Sequence, residues 1–357
     1  MNRYLLLFGL LAISSCEDRD VVSAGPMNVI DEEWSIPRDR VRDGGVGRDG
    51  IPSIDEPSFA NADQQEVVLD HELITGIFVN GQAVAFPHKI LDYHEVVNTD
   101  HGDESFALTF CPLTGTSLVF PRNIDGVTTT FGVSGLLFNS NLIIYDRDSE
   151  SLWSQMMLQG VNGKHKNRQK EFVQVIETTW ATWKEWYPGS LVLQAPNDRP
   201  RSYDEYAYGG YRTNHDLVLF PPKYDFTGYP RKERLLGIVT NNQMFHHRFS
   251  EFEFKEFKSR KIGEEEVLVF GSVEDNYMFA FGSETNTGKK IEVDNLFSNK
   301  EGGQLFQDID GNIWSIFGVA LEGPLKGESL KRVQNYIGYS FAMAAFYRDD
   351  FFDKNEF

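Results

Sequence analysis

The chain has 357 residues, 41% of them hydrophobic and 13% aromatic, which is enough apolar material for two domains or one large duplicated one. Its 53 acidic and 34 basic side chains leave a net charge of −19, which repels nucleic acid and anionic headgroups and excludes both as electrostatic partners, while cation binding stays compatible. The two cysteines, Cys16 and Cys111, lie in different contexts, so no intramolecular disulfide is expected and stability must come from packing.

The chain opens with Arg3, an apolar run Tyr4–Ile13 and then Ile13-Ser14-Ser15-Cys16. A basic start, about ten apolar residues and small residues before a cysteine describe an export leader, since a spanning helix needs roughly 20 apolar residues. Ile-Ser-Ser-Cys is a lipobox, which predicts a signal peptide over residues 1–15, cleavage before Cys16 and diacylation of its thiol. The mature protein is then anchored to a membrane by lipid in the cell envelope, on the periplasmic or outer-membrane side. Residues 16–43 are charged and poor in periodicity, and they read as an acidic flexible tether. The letters G-V-G-R-D-G at 45–50 fit G-x-G-x-x-G, but no strand precedes them and Ile51-Pro52 follow, so they read as a glycine turn rather than a dinucleotide site.

A meander of strands is written at 106–155, where Phe106–Phe110, Ser117–Phe120, Thr128–Val133 and Leu142–Tyr145 are separated by Pro, Gly, Asn and Asp. Polar residues collect at the strand junctions, where a rigid sheet presents binding and catalytic groups. The ligand-binding candidates are Thr114, Ser134, Asn139, Ser140, Asn141, Asp146 and Arg147. Cys111 has three readings: a small buried residue, a nucleophile served by His94, or, with His94, a soft ligand for a copper or zinc ion. His94-Glu95 is not followed by the second histidine of H-E-x-x-H, which excludes a zincin, and Leu136 stands where a Ser134 nucleophile elbow needs glycine.

From Leu73 onward the chain overlays on itself at a shift of about 161: Gly76-Ile77 falls on Gly237-Ile238, Phe120 on Phe281 and Trp153-Ser154 on Trp314-Ser315. After a one-residue slip Val173-Gln174 falls on Val333-Gln334 and Tyr187 on Tyr347. This predicts a mainly β fold made of two tandem homologous β-meander repeats, each followed by one amphipathic helix, in a pseudo-twofold arrangement. The globular domain then spans 44–357, with a first half at 73–189, a connector at 190–233 and a second half at 234–349. The helices fall at Thr178–Trp186 and Ser340–Tyr347, and Trp180, Trp183 and Trp186 form a core stripe on the first. In the connector, Tyr203–Tyr211 interleaves tyrosine with glycine, as a loop packed across both halves or as an aromatic rim.

The runs CPLTGT and FGVSGLLFNSNLIIYDRDSESLWSQ, with GGVGRDGIPSID, KILDYHEVVN and EGPLKGESL, resemble the signature of a bacterial family known as domain of unknown function 3179. The resemblance covers about Gly44 to Tyr347 and implies no defined activity. Relatives commonly carry Cys-Pro-Leu-Cys where this chain has Thr114, which removes a two-thiolate role here. The reading that follows is an extracytoplasmic lipoprotein that binds a metal ion or a small polar ligand at the first-half junctions. The alternative is an enzyme using Cys111 with His94.

Overall fold

The computed structural model describes residues 33–65, 68–196, 202–224, 228–240, 243–298 and 301–347. Cys16 and its leader lie outside the described residues. Among the described residues no helix is long and apolar enough to cross a membrane.

The fold is mainly β. In chain order the first part contains β1 (Val41–Asp43), β2 (Phe59–Asn61), β3 (Leu73–Val79), β4 (Gln82–Pro87), α1 (His88–His94), β5 (Val96–His101), β6 (Glu104–Cys111) and β7 (Thr116–Pro121). A small hairpin of β8 (Asn123–Ile124) and β9 (Val127–Thr128) leads to β10 (Phe131–Phe138), β11 (Asn141–Asp146), β12 (Leu152–Ser154) and β13 (Gln159–Asn162). Then come β14 (Ile176–Thr179), α2 (Trp180–Trp186) and β15 (Leu191–Leu193). The second part contains β16 (Arg234–Thr240), β17 (Gln243–Arg248), β18 (Glu256–Ile262), β19 (Glu265–Ser272), β20 (Tyr277–Thr285), β21 (Val293–Leu296), β22 (Gln304–Asp308), β23 (Ile313–Ser315), β24 (Ala320–Glu322), β25 (Leu330–Arg332), β26 (Gln334–Tyr339) and α3 (Ser340–Phe346).

Strand registers recur between the two parts. Ile74 faces Pro87 in β3–β4 as Leu235 faces Arg248 in β16–β17, and Cys111 faces Thr116 in β6–β7 as Ser272 faces Tyr277 in β19–β20, each pair displaced by 161 positions. Gly76 opposes Ile176 as Gly237 opposes Tyr336. The indole of Trp153 donates to Asp146 at 2.9 Å, and that of Trp314 donates to Asp308 at 2.8 Å. The parts differ where α1 stands, since its counterpart is a single 3-10 turn at Phe249–Glu251.

Neither α2 nor α3 packs only on its own part. Trp180, Trp183 and Trp186 of α2 are buried with Phe270, Tyr277, Phe279, Phe306 and Trp314 of the second part. Phe341 and Met343 of α3 are buried with Cys111, Leu118, Phe120 and Trp153 of the first. The tryptophan stripe is core, as the helical spacing predicted. Burying a full aromatic side chain stabilises by several kcal/mol, ~25 cal/mol for each Å² removed from water, so these cross-contacts bind the two parts into one cooperative body.

Residues 33–43 depart from the tether read in the sequence. Arg38–Arg40 form a 3-10 turn and β1 pairs antiparallel with the edge of β10, Val41 opposite Phe138. Ile36 and Val41 are buried with Phe138 and Val161. Two apolar pins in a charged stretch are too few to give a periodic signal, but enough to seat a short edge strand.

Candidate functional site

At the β6–β7 turn, Gly115 adopts φ +63, and its amide donates to the Cys111 carbonyl at 2.8 Å. A Cβ on Gly115 would lie 3.0 Å from the Tyr339 ring, so glycine is needed for conformation and for space. The Cys111 side chain is buried, with the Ser140 carbonyl 3.8 Å from its sulfur. Burial, and then the negative charge of Glu95, pushes the thiol up to about 11. Such a thiol is protonated at neutral pH and is a poor nucleophile.

His94 does not serve it. The Nδ1 of His94 lies 2.9 Å from the Pro52 carbonyl, its Nε2 lies 2.9 Å from the Tyr203 hydroxyl, and the ring stacks on Tyr203. Both nitrogens are thus occupied away from the thiol. Among the described residues no group of three or more His, Cys, Asp or Glu is placed to hold a metal ion. The expectation of a Cys111–His94 nucleophile pair, or of a copper or zinc ion on those two residues, therefore finds no geometry to support it. Glu95 closes α1 with φ +56, and its carboxyl is buried.

Five of the other candidates are consumed by structure. Asn141 donates to Thr114 Oγ1 at 3.0 Å, to Thr116 Oγ1 at 3.2 Å and to Gln155 Oε1 at 2.7 Å, while Gln155 donates to Thr109 Oγ1 at 3.1 Å. All five side chains are buried, so this network satisfies itself. Ser134 sits at a bulge beside Gly135, donating to the Ile143 carbonyl and accepting from the Leu136 amide. Asp146 accepts from Ser149 and from the Trp153 indole. Arg147 pairs with Asp49 and Asp55 and bonds Ser53, which pins the glycine turn at 45–50 and the residues after it to the sheet.

Asn139 and Ser140 behave differently. They form a two-residue hairpin turn with φ +49 and +67, the pattern in which both central residues are left-handed. Asn139 donates to the Ala345 carbonyl at 3.0 Å, and Ser140 donates to the Phe220 carbonyl of the connector. Together they line a cavity of about 400 Å³ whose other walls include Arg40, Arg42 and Lys223. Asp39 is the one acid among the described residues of its lining. A second cavity of about 690 Å³, between the β10 and β13 edge and the end of α3, shares Arg40 and Asn139 with the first. The Arg40 guanidinium bonds the Tyr224 hydroxyl at 3.2 Å and lies over the Tyr224 ring, while its Nε is buried without a hydrogen-bond partner among the described residues. Sequence reasoning missed Arg40, Arg42 and Lys223. The available signal was the alternation Arg38, Arg40, Arg42 inside an otherwise acidic chain.

The connector that supplies Phe220 and Lys223 first straps the end of α1. Tyr203 meets His94, the Tyr208 hydroxyl donates to Glu95 at 2.9 Å, Tyr211 donates to the Leu113 carbonyl at 2.9 Å, and Arg212 donates to both oxygens of Asp92 at 2.8 and 2.9 Å. Burial pushes the Glu95 carboxyl up to about 7. Burial also raises Asp92, to about 6, although the Arg212 guanidinium acts to lower it, so Asp92 is ionised at neutral pH. Tyr203–Tyr211 is therefore a packed strap on the first part, with Tyr206, Tyr208 and Tyr211 resting on the core shared by both parts.

A family model described as a protein of unknown function, DUF3179, matches residues 48–350. No curated protein and no solved structure matches the chain.

Proposed function

The chain belongs to the DUF3179 family, and we propose that it is a binding module for a small anionic ligand, held where the Asn139–Ser140 turn meets Arg40, Arg42 and Lys223. The observation that carries this reading is the convergence of three cations on one cavity in a chain of net charge −19. Their placement has to overcome the field of the whole molecule, which argues for a local purpose. The buried, unpartnered Nε of Arg40 supports it further, because a donor without an acceptor costs about 1–3 kcal/mol and an anion supplies that acceptor. Asn139 and Ser140, two of the junction residues singled out in the sequence, contribute the turn that shapes the wall. Calorimetric titration with inorganic phosphate and with glucuronate tests the proposal. Binding that weakens about tenfold or more in Arg40→Gln is the expected result, and wild-type protein that binds neither anion would overturn it.

The cell-envelope location, with a lipid on Cys16, belongs to the same proposal and rests on the leader sequence. Labelled fatty acid should enter the protein and be lost in Cys16→Ala. The recurring strand registers support descent of the two halves by duplication.

A further inference from the structure

We infer that the anion at Arg40 is the acidic end of a saccharide whose hydroxylated body occupies the adjoining cavity of about 690 Å³; this rests on the anion-binding reading and names its ligand class. The two cavities share Arg40 and Asn139 and so adjoin at the residue that would hold the charge. Among the described residues that line the larger cavity none is acidic, although acids outnumber bases in the chain by 53 to 34. What it offers instead are neutral hydrogen-bonding groups. The side-chain amides of Gln159 and Gln334 make no hydrogen bond to described residues, and Thr240 stands with them. A primary amide presents donors and an acceptor on one short side chain, which matches a pair of neighbouring hydroxyls. The partly buried rings of Phe346 and Tyr347 give the same cavity apolar faces of the kind that pack on the carbon faces of a sugar ring.

Other anions fit less well. An alkyl chain asks for a continuous apolar wall, and the glutamines interrupt it. A polyphosphate asks for cations along its length, and Arg40 is the one cation among the described lining of the larger cavity.

The test is titration of the full chain, by calorimetry and saturation-transfer NMR, with glucuronate, an aldotriouronate (one terminal uronate on two neutral xyloses), the neutral trisaccharide maltotriose and dodecanoate. The aldotriouronate is expected to bind about tenfold more tightly than glucuronate, as two added amide contacts predict, and more tightly than maltotriose or dodecanoate. The double variant Gln159→Leu/Gln334→Leu should lose that gain while keeping glucuronate affinity, which also reports that it is folded. If it does not fold, Gln159→Ala/Gln334→Ala should show the same selective loss. Glucuronate binding with no gain for the aldotriouronate, or dodecanoate binding more tightly than either, overturns the inference and leaves the anion site standing. Failure of every anion sinks the anion-binding reading itself.

Discussion

The Glu95 carboxyl is buried against the Tyr208 hydroxyl at 2.9 Å, and among the described residues no cation pairs with it. Burial raises the carboxyl and outweighs the phenol's hydrogen bond, which favours the carboxylate, so the group rises to about 7. The folded-state value lies above the unfolded one. Stability from this group is thus fully present below pH ~4.5 and is lost as pH rises through about 7. Glu95→Gln should therefore stabilise the protein at pH 8, by at most ~3 kcal/mol, and the advantage should shrink toward pH 4.5. Urea unfolding at both pH values measures this, and an advantage independent of pH would exclude titration of Glu95 as its cause.

Cys111 should be inert in the folded protein. Its thiol is enclosed and held up to about 11, so iodoacetamide at pH 8 is expected to label it only after denaturation. Rapid labelling of native protein at pH 7 would restore the nucleophile reading.

The mainly β class was legible in the alternating apolar runs, and the strand pairs at Gly76 and Gly237 fall at the overlay's shift of 161. The site was less legible, for three physical reasons. Asp92 and Arg212 lie 120 positions apart and meet only because the connector folds back on α1. His94 and Glu95 are adjacent, yet His94 bonds Pro52 and Tyr203 while Glu95 accepts from Tyr208, partners 42, 109 and 113 positions away. Arg40 and Arg42 sit in a charged run whose two buried apolar residues, Ile36 and Val41, are too sparse to announce a strand. The turn residues Asn139 and Ser140 were visible because their geometry is local.

Trp183 lies against Gly76 so closely that a Cβ there would fall 2.1 Å from the ring. Gly76→Ala should cost ~1–3 kcal/mol through forced displacement of the indole, and Trp183→Ala ~3–5 kcal/mol through the cavity it leaves. Because α2 is buried among second-part residues, both variants should unfold in one transition reported equally by probes in either part. Two separated transitions would mean that the cross-packed cores do not couple the parts.

The buried network of Thr109, Thr114, Thr116, Asn141 and Gln155 offers the sharpest contrast between a polar junction that maintains the fold and one that serves a ligand. Asn141 donates to three acceptors, and its own carbonyl oxygen accepts from the Met156 amide at 3.1 Å. Asn141→Leu is nearly the same size but leaves the Gln155 carbonyl, the Thr114 hydroxyl and that amide short of partners in a dry site. Each deserted buried group costs about 1–3 kcal/mol, so a total of several kcal/mol is expected. Asn141→Asp keeps an acceptor for Met156 but places a carboxylate beside Gln155 Oε1, and it should be worse at pH 8 than at pH 4. Anion affinity should change little in whatever fraction stays folded, because Asn141 faces the core while Asn139 and Ser140 face the cavity. If Asn141→Leu instead left stability within ~0.5 kcal/mol of wild type and abolished phosphate binding, the network would belong to the ligand site and the division of the junction residues drawn above would be wrong.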